Sequence, residues 1–313
     1  GYPTGTQNGN TYEYTDTSWK DKLTKVNGSN ISYDANGNPL SYRDGMSFEW
    51  ENGRILKNIN TSDKAIQMSY DSNGMRTQKT VDGVKTNYYY DSNKNLIALV
   101  KGNDTLLFYY DSDGSATSFS YNGTMYFYVK NLQGDVIRII DLAGTEVASY
   151  VYDAWGNIKD TKGEPTIREI NPIRYRGYVY DTETSLYYLQ SRYYDPFTGR
   201  FLNADAYCDT MSGSPLSTNM FAYCENDSIN YADYDGFRIT VNVKRTNNSY
   251  VLKVKLPWSD ISNYFNYRSI AYGIVGLVAC FIPEPVVSKA LGVAAGIASL
   301  TSAIASTLIS NYK

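Results

Sequence analysis

Through the first half of the chain, short strand-like stretches each end on an aromatic ring that is followed at once by a polar turn. Tyr33 opens YDANGN, Trp50 opens WENGR, Tyr70 opens YDSNGM, Tyr90 opens YDSNKN, Tyr110 opens YDSDGS and Tyr152 opens YDAWGN. The stretch YVKNLQGD from Tyr128 is a degenerate member, and from Trp50 to Tyr110 each step is 20 residues. A fixed period of this size with Asp/Asn/Gly turns predicts one β-hairpin per repeat, stacked on its neighbours. Asp and Asn side chains bond to nearby backbone, and Gly37 or Gly74 can take a positive φ. One hairpin cannot bury its own apolar face, so the array needs neighbours and end caps. Residues 1–160 are therefore expected to be a β scaffold without chemistry of its own.

The pattern then changes twice. Residues 174–237 carry denser aromatic strands separated by turns at DTET, DPFTGR and YDG, where Pro196 presets one turn and Gly199 relieves the backbone before Arg200. After Phe237 the tyrosine pattern stops. Residues 238–256 alternate in hydropathy, with Ile239, Val241 and Val243 facing Leu252, Val254 and Leu256 across a turn at Asn247–Asn248, which predicts a hairpin. Two uncharged stretches follow, Ser269–Ile282 and Ala290–Ser310, read as a helical hairpin. About 20 helical residues cross a bilayer core. Gly292 and Gly296 in the second stretch form a GxxxG, which allows close helix packing.

Composition sharpens this division. The 32 tyrosines suit half-buried strand positions. Beyond Phe237 there are eight Lys/Arg against two Asp/Glu, a balance of +6; the whole chain is −3, so residues 1–237 carry −9. An acidic body with a basic tail indicates two units with different partners. Histidine is absent, which excludes Ser-His-Asp and Cys-His catalysis and histidine-dependent zinc sites. Cys208, Cys224 and Cys280 have no metal-binding spacing, and pairing of Cys208 with Cys224 stays open. No metal or other cofactor is expected. The chain opens without methionine in strand-like sequence, which reads as a piece of a longer secreted precursor.

The candidate chemistry lies in two acids, Asp205 and Asp233, 28 residues apart, each expected at the end of an apolar or aromatic strand. If they converge, a close carboxylate pair shares one proton, and one member serves as base while the other serves as acid. Arg192 is near enough in sequence to hold a carboxylate ionised or to polarise a carbonyl. The plainer alternative makes both acids ordinary turn residues in an uncut plug.

The repeats, with WKDKLTKVNGSNISYDANGNP at Trp19–Pro39, resemble the YD motifs of the Rhs/YD-repeat family. RYRGYVYDTETSLYYLQSRYYDPFTGRFLNADAY and NMFAYCENDSINYADYDGF resemble the Rhs repeat-associated core domain over nearly its whole length. The resemblance implies a mainly β fold: a β-hairpin spiral shell over 1–160, a core plug over 161–237, and a variable C-terminal segment over 238–313. It also implies an aspartyl autoprotease that acts once on its own chain. The arginine of SRYYDP maps to Arg192, the acid after GRF to Asp205, and the acid of the terminal motif to Asp233. Cleavage is then expected between Phe237 and Arg238. The terminal motif reads DYDGF, with Tyr234 in place of the family's proline, Phe237 in place of its leucine, and an extra acid at Asp235.

Two functions from different classes follow. One is delivery of a toxic C-terminal segment by a secreted or surface-bound bacterial protein against competing cells, with that segment as cargo and an immunity protein as a further partner. The other is a non-catalytic surface adhesin whose exposed tyrosines stack on carbohydrate. For residues 238–313 three readings stay open: a membrane-active hairpin contacting lipids, with Gly292 and Gly296 packing its helices; a buried apolar plug or linker; and part of an enzymatic toxin. Nucleic acid is a disfavoured partner, since Asp260 and Glu284 are the segment's only acids and offer little for a divalent metal.

Overall fold

The aspartate after each repeat aromatic organises its turn. Asp71 Oδ1 accepts from the N–H groups of Asn73 at 2.8 Å and Met75 at 2.9 Å. The Asp71 N–H donates to the Met75 carbonyl at 2.9 Å, and the Gly74 N–H returns to the Asp71 carbonyl at 3.1 Å. The same side-chain clasp recurs at Asp34, Asp91, Asp141 and Asp153, with Asn131 in the degenerate repeat. Gly74 takes φ +77°, the left-handed region open to glycine. In the Asp91 turn that place is held by Lys94 at φ +64°. Lys94→Gly is therefore expected to stabilise the protein by about 0.5–1 kcal/mol, read as a raised urea midpoint.

The aromatic of each motif links its repeat to the one before. Tyr70, Tyr90 and Tyr110 donate their hydroxyls to the carbonyls of Leu56, Arg76 and Leu96, each 14 residues back, at 2.8, 3.0 and 2.9 Å. Strand pairing slips by one residue at Trp50, Tyr90, Tyr110 and Tyr152. Such bulges bend a strand and add twist, which curves the wall.

The computed structural model describes residues 5–7, 9–112, 114–205, 219–229, 232–233, 236, 241–246 and 249–254. Among them, fourteen strands form one antiparallel sheet in chain order, from Ser32–Tyr33 to Ile158–Gly163. Alternate residues point to opposite faces. One face buries Phe48, Ile66, Met68, Leu106, Phe108 and Phe119, while Leu107, Tyr109 and Val151 are exposed on the other. A smaller sheet of Gly5–Gln7, Asn10–Glu13, Lys25–Val26 and Ser29–Asn30 precedes this wall, an element that the sequence pattern had not separated from the repeats.

A short helix, Pro165–Ile170, leads into the core module. Its antiparallel sheet comprises Val179–Asp181, Leu186–Leu189, Arg192–Asp195 and Arg200–Phe201. Every residue of Leu186–Leu189 and Arg192–Asp195 is buried. The strand period explains how. Leu186, Tyr188 and Tyr193 pack with Leu56, Ile59 and Ile66 of the wall. Tyr187, Leu189 and Tyr194 pack instead with Tyr175, Tyr178 and Tyr223. This sheet thus has two apolar faces, one of them packed against the wall.

The chain divides into two compact units, Gly1–Phe237 and Arg238–Lys313. In the second, Val241–Thr246 pairs antiparallel with Ser249–Val254, placing Val241 opposite Val254 and Val243 opposite Leu252, the register expected from the alternation. The two apolar stretches, with Gly292 and Gly296, lie outside the described residues, as does Cys208.

Candidate functional site

Arg192 opens the third strand of the core sheet and is buried at 3% exposure, with its guanidinium carbon 3.5 Å from the centre of the Phe201 ring. From there Nη2 reaches Asp205 Oδ2 at 3.0 Å and Asp233 Oδ2 at 3.5 Å. The three side chains singled out in the sequence meet at one nitrogen. A bifurcated cation of this kind offsets the repulsion between two nearby carboxylates.

Neither acid sits on a strand. Asp205 follows the Arg200–Phe201 strand, and Asp233 lies in irregular backbone. Their positions are fixed by bonds outside the sheet ladder. The Asp205 N–H donates to the Met220 carbonyl at 2.7 Å. The Asp233 N–H donates to the Tyr178 hydroxyl at 2.8 Å, and that hydroxyl shares a hydrogen bond with Tyr223 at 2.9 Å. Burial, and then the neighbouring Cys224 thiol, push Tyr178 well above its ordinary value, so the hydroxyl stays neutral.

The same arginine holds the chain beyond Asp233. Arg192 Nε donates to the Gly236 carbonyl at 2.6 Å. That carbonyl precedes Phe237 and is therefore one residue before the expected cut; Phe237 and Arg238 lie outside the described residues. Gly236 takes φ +72°, and a Cβ there would meet the Leu189 carbonyl oxygen at 2.7 Å and the Arg192 nitrogen at 3.1 Å. Only glycine lets the backbone approach the arginine this closely.

Sequence reasoning missed three contributors: the Tyr178 hydroxyl, the Gly236 carbonyl and Arg54 of the wall, whose Nη2 donates to the Ala204 carbonyl at 2.6 Å. Arg54 and Asp205 are far apart in sequence, and no local spacing connects them.

This geometry sits in a chain whose residues 4–229 match the teneurin YD-shell family. The chain belongs to that family. The chain is 41% identical over 223 residues to the tRNA3(Ser)-specific nuclease WapA of Bacillus spizizenii, covering 69% of this chain and 9% of that protein. It is 40% identical to the tRNA nuclease WapA of Bacillus subtilis over 223 residues, with the same coverages of 69% and 9%. The chain thus spans about 9% of the length of these relatives. Among solved structures, TcdB2-TccC3-TEV superposes with a TM-score of 0.55 at 19% identity, over 73% of this chain and 13% of that one. The Photorhabdus luminescens Tc holotoxin pore gives 0.53 at 17% identity, over 79% and 14%. These likenesses show a shared YD-repeat shell fold.

Proposed function

We propose that this chain is the closing part of a YD-repeat casing around a toxic cargo, and that its core module cuts the chain once, between Phe237 and Arg238. The observation carrying this reading is Arg192, which gathers Asp205, Asp233 and the Gly236 carbonyl around one side chain. A structural plug has no need to bring two acids to the segment that leads to the boundary at Phe237.

In the proposed step, water adds to the Phe237 carbonyl carbon. One carboxylate takes a proton from the water while the other, as the acid, protonates the Arg238 nitrogen as the peptide bond breaks. The products are a new carboxyl terminus at Phe237 and a new amino terminus at Arg238. Arg192 fixes the peptide next to the reacting bond and compensates charge on the acid pair. The test is the intact mass of wild type beside Asp205→Asn. Wild type should appear as two fragments, and Asp205→Asn should remain whole or be cut roughly 10²–10⁴-fold more slowly. A wild type that keeps residues 238–313 attached defeats the reading.

The freed segment, on this proposal, acts on membranes of competing cells, with an immunity protein protecting the producer and secretion or surface display bringing it out. Relatives that share similarity with this chain are named for different activities, among them a tRNA nuclease and a double-stranded DNA deaminase toxin. That supports a common casing with exchangeable cargo. Expression of residues 238–313 should depolarise cells; growth arrest without depolarisation would direct attention to an enzymatic cargo instead.

A second reading, adhesion to carbohydrate, draws on Tyr89 and Tyr109, exposed at 51% and 43% on the outer face. It predicts glycan binding that is lost in a Tyr89→Ala, Tyr109→Ala double variant and an uncut chain.

A further inference from the structure

Ala204, the residue just before Asp205, is held by the wall through both its N–H and its carbonyl. The Ala204 N–H donates to the Gly37 carbonyl at 3.3 Å, and the Ala204 carbonyl accepts from Arg54 Nη2 at 2.6 Å. Gly37 and Arg54 belong to turns of two successive wall repeats. Those turns are tied together by Asn38 Nδ2, which donates to the Gly53 carbonyl at 2.7 Å and to Asp34 Oδ2 at 2.7 Å. On the far side, Asp205 is tied to Met220, whose carbonyl also accepts from Arg192 Nη1 at 3.4 Å. The core module alone thus lacks the two bonds by which the wall holds Ala204, the residue next to Asp205.

Arg54 also contributes charge. Burial and then the like charge of Arg192 push its guanidinium below the ordinary value, while Asp205 pulls the other way. Two arginines therefore flank one aspartate, one from the core module and one from the wall. Their mutual repulsion is offset by the acid between them. A link needed only for packing gains nothing from placing a second cation there.

We infer that Arg54 is a positioning residue for Asp205, and that self-cleavage is licensed by seating of the core module against the wall. This rests on the proposed self-cleavage. Its consequence is an order of events: the casing closes around its cargo first, and the cut follows. An open or half-built wall leaves Asp205 without the Gly37 and Arg54 bonds and leaves the cargo attached.

The experiment follows first-order cleavage of the full chain by intact mass for wild type, Arg54→Gln, Arg54→Lys and Asp205→Asn, with thermal melting as the check on folding. Arg54→Gln should slow the cut by roughly tenfold to a hundredfold. Arg54→Lys, which keeps the charge and a donor, should recover part of the rate. Arg54→Met stands in for the glutamine variant if that one fails to fold. An Arg54→Gln chain cut at the wild-type rate overturns the inference, provided that Asp205→Asn is uncut. If Asp205→Asn is cut like wild type, or wild type is not cut at all, the cleavage reading itself fails and the inference falls with it.

Discussion

Asp181→Ala is expected to destabilise the Gly1–Phe237 unit by about 3–5 kcal/mol, the usual consequence of removing one partner from a buried ion pair. Asp181 belongs to the core sheet and meets two cations of the wall. Arg76 reaches its carboxylate through Nη1 at 2.5 Å and Nη2 at 3.1 Å, and Lys79 Nζ lies at 2.8 Å. Arg76 is fully buried, with its guanidinium within 4.4 Å of the Tyr188 ring centre and 4.7 Å of Tyr88. Alanine at 181 leaves Arg76 without an acid and Lys79 with Glu183 alone, at 2.7 Å. For a unit of this size the loss should lower the melting temperature by on the order of 10 °C. A drop of only a degree or two would mean that water reaches the site and screens it.

The same cluster gives stability a pH dependence. Burial pushes the Asp181 carboxyl up, but the charges of Arg76 and Lys79 and their hydrogen bonds hold it below its ordinary value. A carboxyl whose folded value is depressed adds stability above its unfolded value, near pH 4. That contribution is lost as pH falls through the lower folded value. The urea midpoint of wild type should therefore drop as pH is taken below about 4, and Asp181→Asn should show a shallower acid limb. Two further buried pairs join core and wall in the same way: Arg43 with Asp195 at 2.9 Å, and Arg176 with Asp135 at 3.7 Å.

These pairs mark where the sequence stops being readable. The hairpin array was legible because its determinants are local: an aspartate that bonds to residues two and four ahead, and a tyrosine that bonds back to the previous repeat, write a period into the chain. The hairpin at Val241–Val254 was legible for the same reason, since alternation fixes register. The pairing of Arg76 with Asp181 spans 105 residues, and that of Arg43 with Asp195 spans 152. Nothing in either local sequence separates a buried charge from a solvated one. Arg192, Asp205 and Asp233 were singled out through resemblance of their motifs, while Arg54 and Tyr178 were not: Arg54 acts where the wall meets the core module, and Tyr178 meets Asp233 from 55 residues away. The two apolar stretches beyond Arg238 fit a spanning hairpin and a packed one equally well in composition.

On the proposed self-cleavage, Arg192→Lys is expected to slow the cut by about 10²–10³-fold, although the charge is kept. The guanidinium is used as a fork: Nε holds Gly236, Nη2 meets both acids, and Nη1 reaches Met220. A lysine has one nitrogen on a flexible stem, and from that single point it cannot reach both acids and the Gly236 and Met220 carbonyls together. When it pairs with the acids, the Gly236 carbonyl loses its donor, and the segment leading to the proposed cut is released from the acid pair. Misplacement by about 1 Å is enough for a loss of this size. The stacking on Phe201 is also lost, so some stability should go with it. The rate should nevertheless fall further than stability accounts for, and Asp233→Asn, which keeps the arginine in place, should separate the two effects. If lysine at this position cuts as fast as arginine, the fork is dispensable, and Arg192 acts in the plug only as a buried counter-charge.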